Sequence, residues 1–476
     1  MVFSSYLFVL IFLPVTLLLY FGLSKAESPK YQKVFLIFAS LFFYGFYNPK
    51  YLPIIIISIA VNYFAAWKIL TNTGNAKKKK IWFIAGVAFN VALLGYFKYR
   101  NFFIDSINTV FKTGFAAKSL LLPLGISFFT FQQLVFLVSA EQGRETAVNL
   151  PDYSLFVLFF PQLVSGPIVL YGEMTPQFND SSRRYFNKDN LAKGIYIFTI
   201  GLFKKAVIAD SFALLADNGF SCTELGLIPA WVTSLSYTIQ IYFDFSGYSD
   251  MAVGIGKMFN YDIPANFDSP YLSESITSFW RRWHITLGRA LSTCVYIPLG
   301  GNRKGITRTC INLLLTFAVS GIWHGAAWTF VVWGLMHGAF AVIERIHGST
   351  IQKADKTVRI IFTFLVVNAL WVLFRAESFD KAIMVYGGML SFANLNLPQL
   401  QDIVLNGYLN YPATVDYVYI IAMLSLAFYL IFKHKNSTAL YNSFQANTRS
   451  SICTAVMLSV SLIYMSRESI FIYFNF

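Results

Sequence analysis

Apolar runs long enough to cross a bilayer recur from one end of this sequence to the other, near 5–23, 34–48, 52–70, 81–97, 119–138, 152–170, 194–215, 228–258, 309–324, 326–346, 358–375, 416–432 and 451–465. At about 20 residues per crossing they make roughly eleven to thirteen spans. Hydrophobic residues fill 56% of the 476 positions and charged ones 13%, far more apolar surface than a water-soluble chain of this length could hide. The expected fold is all-α: a polytopic integral membrane protein, read as a single domain over 1–476.

Lys and Arg outnumber Asp and Glu by 37 to 23, a formal charge of +14. The cations sit in short clusters between apolar runs, such as Lys77 to Lys80, where the positive-inside rule and anionic lipid account for them; no nucleic-acid partner is expected. Lys25, Lys30 and Lys33, followed by Lys77 to Lys80, place both of their loops in the cytoplasm and Met1 outside. Simple alternation would then put Arg183, Arg184, Lys188 and Lys193 outside. The segment with Pro161, Gly166 and Pro167 is therefore expected to enter the membrane and return, and a broken helix at that depth is tolerated only where it lines a protein cavity. Residues 1–22 lack a basic leader and a small-residue cleavage site, so they read as a first span. Cys222, Cys294, Cys310 and Cys453 show no paired spacing, and neither a metal site nor a disulfide framework is indicated. Without an appended soluble domain, any chemistry falls to residues in or against the bilayer.

Two of the five histidines, His324 and His337, lie inside strongly apolar segments. An ionisable side chain at that depth costs on the order of 2–3 kcal/mol and normally faces a bundle interior or a wet cavity. His324 sits in SGIWHGAAW, where Gly321 and Gly325 leave room for a substrate beside the imidazole. On one straight helix His337 would project about 220° away from it. The stretch from Glu274 to Leu291 reads as an interfacial helix with an apolar stripe of Ile276, Phe279, Trp280, Trp283, Leu287 and Leu291, and with Arg281, Arg282 and Arg289 opposite. His284 falls at the margin of that stripe, positioned to look into a pocket mouth. Gln240, Asp244 and Tyr248 recur every four residues and stack along one face of an apolar helix, where Asp244 could orient a histidine or act as an interhelical latch. In YIPLGGNRKG, three glycines bracket Arg303 and Lys304, a loop that could receive the phosphates of an acyl-thioester donor, as could Arg281 and Arg282.

The segments LPLGISFFTFQQ, FPQLVSGPI, YFDFSGYSDMAVGIG, SFWRRWHITL, YIPLGGNRKG and SGIWHGAAW, in that order, resemble the membrane-bound O-acyltransferase family, most closely its alginate O-acetyltransferase branch. The opening MVFSSYLFVLIFLPVTLLLYF and the closing FIYFNF resemble that branch too. After FQQ the branch carries an acidic, an aromatic and a basic residue where this chain has Ser139, Glu141 and Gln142. The resemblance implies tilted helices and re-entrant segments around a central tunnel through a thinned membrane. A cytoplasmic acyl donor would meet its acceptor there, with His324 as the catalytic histidine and His284 as the second site residue.

The expected activity is O-acetyl transfer from acetyl-CoA or an acyl-carrier thioester to an exported, alginate-like polysaccharide, or to a periplasmic or extracellular partner acetyltransferase, with no bound cofactor. In it His324 is the general base, and His284, with Asp244 behind it, holds the acyl group or polarises its carbonyl. The expected location is the bacterial inner membrane. Peptidoglycan O-acetylation and D-alanyl transfer to teichoic acid are the alternatives within the class. A secondary transporter or flippase, with Asp244, His324 and His337 as a proton relay, is the alternative outside it.

Overall fold

The computed structural model describes residues 1–25, 28–117, 122–405, 413–466 and 472. The first three residues of the expected segment 119–138 lie outside them, as does all of FIYFNF except Ile472. Among the described residues the regular structure is helical, and each of the thirteen apolar segments carries helix. Seven helices among these residues are long and apolar enough to cross a membrane: Phe8–Lys25, Pro49–Thr71, Ala76–Phe111, Gly305–His324, Trp328–Ile351, Lys356–Arg375 and Val415–Phe432. Two further apolar helices, Ile126–Glu141 and Thr448–Tyr464, are shorter. Polar side chains set several of the starts, each accepting from a backbone N–H of the first turn: Asn75 from Lys78, Asn149 from Asp152 and Asp355 from Thr357.

The chain forms two compact units. The first comprises residues 1–198, 251–264 and 289–298. Its core is aromatic, with Phe8, Phe12, Phe43 and Phe160 packed ring against ring. Helices Leu52–Thr71 and Ala76–Leu94 are tied by reciprocal amide bonds between Asn62 and Asn90, 3.2 and 2.6 Å long. Buried amides in lipid-facing helices need such partners, since no water is there to serve them. The segment expected to break does so: Leu150–Leu158 ends at Phe159, a second short helix covers Phe160–Leu163, and the chain then extends through Pro167 to a third helix, Tyr171–Asn179. Residues 152–169 are buried apart from the half-buried Ser154. Lys33 reaches Asp152 at 2.6 Å, satisfying the carboxylate at the start of this break.

The second unit comprises residues 199–250, 265–288 and 299–476. Helices Gly305–His324 and Trp328–Ile351 form a hairpin held by small residues. A Cβ on Gly321 would stand 2.3 Å from the Phe330 carbonyl oxygen, and one on Gly334 2.3 Å from that of Phe317. Helix Leu227–Met258 is bound to Lys356–Arg375 through Asn368, which accepts from Thr238 Oγ1 at 2.7 Å and donates to Ser234 Oγ at 2.9 Å. Tyr271 completes the tie, donating to the Thr238 carbonyl and accepting from the indole of Trp371.

Candidate active site

His324 is the last residue of its helix. Gly325 follows in an extended conformation, and a Cβ there would lie 2.1 Å from the Phe330 ring, so a side chain in place of the glycine would block this turn. The imidazole is 2% exposed. Three rings meet it nearly edge-on, with centroids at 4.9 Å for Trp323, 5.1 Å for Trp333 and 5.2 Å for Phe374. In so apolar a shell a transferred proton or a developing charge is poorly screened, which strengthens whatever polar group lies against the reacting atoms.

The expected single helix over Glu274–Leu291 is two. Ile276–Trp280 ends in a turn at Arg281–His284, and Ile285–Leu291 starts afresh. His284 is the hinge, with φ +46°, a left-handed conformation that costs a non-glycine residue about 1 kcal/mol or more. The apolar stripe survives the break: Ile276, Phe279, Trp283, Leu287 and Leu291 are all buried. What changes is the direction of the imidazole, which turns inward to full burial instead of sitting at the margin of the stripe. Its ring packs edge-on against Phe245 at 4.6 Å and lies 6.0 Å from Trp323. Trp323 therefore touches both His284 and His324.

His337 belongs to the same cluster. The chain reverses at Gly325–Ala327, so the one-helix geometry that separated it from His324 does not apply, and Trp333 contacts both rings, at 4.9 Å for His337 and 5.1 Å for His324. Trp280 Nε1 donates to His337 Nδ1 at 3.2 Å. Two turns further along, Glu344 accepts from the backbone N–H groups of Ile276 and Thr277 and from the Thr277 hydroxyl. One face of the Trp328–Ile351 helix thus grips the short helix that leads into His284.

Asp244 does not meet a histidine. Its Oδ1 lies 2.7 Å from the ammonium of Lys205, which also holds Asp210 at 2.7 Å, and its Oδ2 accepts from the Ile472 N–H at 2.9 Å. A carboxylate buried to 1% exposure needs an opposite charge more than a neutral imidazole, and the wider π-helical turn at Lys204–Ala209 delivers one. The orienting partner of His284 is Asn266 instead, whose Oδ1 is 3.2 Å from Nδ1. Gln240 and Tyr248 are buried on the helix that carries Asp244. Arg281 is exposed and Arg282 half-buried in the turn beside His284. Arg303 and Lys304 are exposed in a loop whose three glycines, Gly300, Gly301 and Gly305, all take positive φ.

Sequence reasoning missed Asn266, which nothing in its surroundings marks, and Trp333, one of nine tryptophans. It also passed over Lys204 and Lys205, whose position in an apolar run signals buried carboxylate partners; Lys204 pairs with Asp250 at 2.7 Å.

An all-helical chain with seven spanning-length helices among its described residues, and two buried histidines against one tryptophan, defines a multi-pass membrane protein with an embedded histidine site. The model of MBOAT, the membrane-bound O-acyltransferase family, matches residues 116–379. The chain belongs to this family and is an acyltransferase. It is 42% identical to a peptidoglycan O-acetyltransferase of Helicobacter pylori, over 100% of this chain and 98% of that one. A probable alginate O-acetylase of Pseudomonas aeruginosa is 39% identical, over 86% and 78%. A teichoic acid D-alanyltransferase of Bacillus subtilis is 29% identical, over 45% and 56%.

Proposed function

We propose that the protein O-acetylates a glycan of the bacterial envelope, with His324 as general base. The observation that carries the reading is the burial of His324 at a helix end inside an aromatic shell, with His284 sharing its Trp323 contact. In this reading His324 removes the proton from the acceptor hydroxyl as the oxygen attacks the acyl carbon. A C–O bond forms, the C–S bond of the thioester breaks, and the imidazolium returns its proton to the departing thiolate. General base action of this kind contributes about 10²–10⁴-fold.

The donor is acetyl-CoA or an acyl-carrier thioester on the cytoplasmic side, with Arg303 and Lys304, and more weakly Arg281 and Arg282, as candidates for its phosphates. The protein resides in the inner membrane and passes the acetyl group to the exported acceptor, a periplasmic or extracellular partner acetyltransferase being the alternative recipient. Peptidoglycan is the favoured acceptor, supported by the relative aligned along essentially the whole of both chains. An alginate-like polysaccharide is the second reading, supported by relatives at 38–40% identity. D-alanyl transfer has the support of a match to less than half of the chain.

Membranes containing wild-type or His324→Ala protein, incubated with labelled acetyl-CoA, test the reading. Base-labile acetyl ester is expected in the peptidoglycan fraction of the wild type, with a loss of about 100-fold or more in the variant at equal membrane abundance. Normal ester formation by the variant would refute the role of His324, and label confined to another glycan would reassign the acceptor.

A further inference from the structure

A neutral imidazole carries one proton, on Nδ1 or on Nε2, and the choice decides which nitrogen donates and which accepts. Burial pushes His284 down to about 3, so the neutral ring is its resting form. Its Nδ1 lies 3.2 Å from Oδ1 of Asn266. Which end of an amide faces a neighbour is often a matter of assignment, but here the backbone decides it. The Thr286 N–H, which can only donate, points to the same Asn266 atom at 3.1 Å, and the Thr286 hydroxyl reaches it at 3.0 Å. An NH2 group in that place would set donor against donor, so an oxygen stands there. An oxygen facing Nδ1 in turn requires the proton to be on Nδ1. The frame is rigid: Ile285 N–H donates to the Asn266 carbonyl at 3.0 Å, and Asp268 N–H to the Arg282 carbonyl at 2.9 Å, clamping the turn on both sides of the left-handed His284.

We infer that Asn266 is the positioning residue of His284, fixing its Nδ1–H tautomer so that Nε2 meets the acceptor substrate as a lone pair. The inference rests on the proposed function and extends it, placing His284, which shares Trp323 with the general base His324, among the groups that touch substrate. A neutral His284 of this tautomer has no proton on Nε2 with which to polarise the thioester carbonyl. It accepts a hydrogen bond from a substrate hydroxyl, and a glycan acceptor, rich in O–H donors, offers one beside the hydroxyl that His324 deprotonates.

Two measurements test this. In nitrogen-15 spectra of histidine-labelled wild-type protein in bilayers, the resonances that vanish in His284→Gln are expected to show a protonated Nδ1 and a bare Nε2; the reverse pattern overturns the inference. In steady-state assays Asn266→Leu is expected to raise KM for the glycan acceptor about 10-fold, the loss of one oriented hydrogen bond, while KM for the thioester moves less than about 2-fold. Asn266→Asp, which keeps the acceptor oxygen, should recover most of that loss. A merely structural role would lower the active fraction and move neither KM, and a Leu variant with unchanged acceptor KM overturns the inference. If wild type forms no ester at all, the proposed function fails, while the nitrogen spectrum still decides the tautomer.

Discussion

Asp244 and His284 show how burial sorts polar residues by what they cost. A carboxylate at 1% exposure is held by Lys205, and removing one member of such a pair leaves the other as an uncompensated buried charge. Asp244→Ala is therefore expected to lose about 3 kcal/mol of stability, toward the low end for a broken buried pair because Lys205 retains Asp210. The paired replacement Asp244→Leu with Lys205→Met should recover part of that loss. Thermal unfolding in detergent checks both, and a variant that unfolds like wild type yet has lost turnover would return Asp244 to the catalytic group. The burial of His324 was legible in the sequence, because an imidazole among glycines, a tryptophan and aliphatic residues has few other places to go; the full burial of His284, expected at the margin of an apolar stripe, was not. Nor was the identity of their neighbours. Asn266 lies eighteen residues before His284 in an irregular segment, where no periodicity announces which side chain a fold will turn inward.

At the scale of elements, the Trp328–Ile351 helix works as a template. Its glycines allow close approach to the helix that ends in His324, while His337 and Glu344 hold the helix that leads into His284. Gly334→Val would drive a Cβ into the Phe317 carbonyl at 2.3 Å, and is expected to cost about 1–3 kcal/mol and to lower turnover with it. Gly348→Val on the same helix meets nothing within 4 Å and should fold normally. Equal thermal stability of the two variants would contradict the close-packing account. Glu344→Ala removes the acceptor for two backbone donors and a hydroxyl, with an expected loss of about 0.5–2 kcal/mol, read by the same assay. The break at Arg281–His284 escaped a reading by helical periodicity, since the apolar residues keep their spacing through it. Only the pairing of the turn with residues 266–268 makes the left-handed conformation affordable.

For the whole molecule, the basic run Lys77 to Lys80 carries the topological prediction. In a cysteine-free background, a cysteine in place of the exposed Lys78 is expected to react with an impermeant maleimide only after the cells are opened. Labelling of intact cells would invert the proposed orientation. By itself, the sequence determined the solvent and the secondary structure: apolar runs of spanning length leave the backbone no hydrogen-bonding choice in hydrocarbon but the helix. It also determined the family, through six motifs in order. The tertiary structure decided which polar side chains meet, giving Lys205 to Asp244, Asn266 to His284 and Trp333 to both His324 and His337. Lys205 with Asp244 and Asn266 with His284 join separate segments of the chain, and inside a membrane protein many polar partners satisfy a buried group equally well. Which one does so is set by how helices approach and turns close, and not by any local pattern.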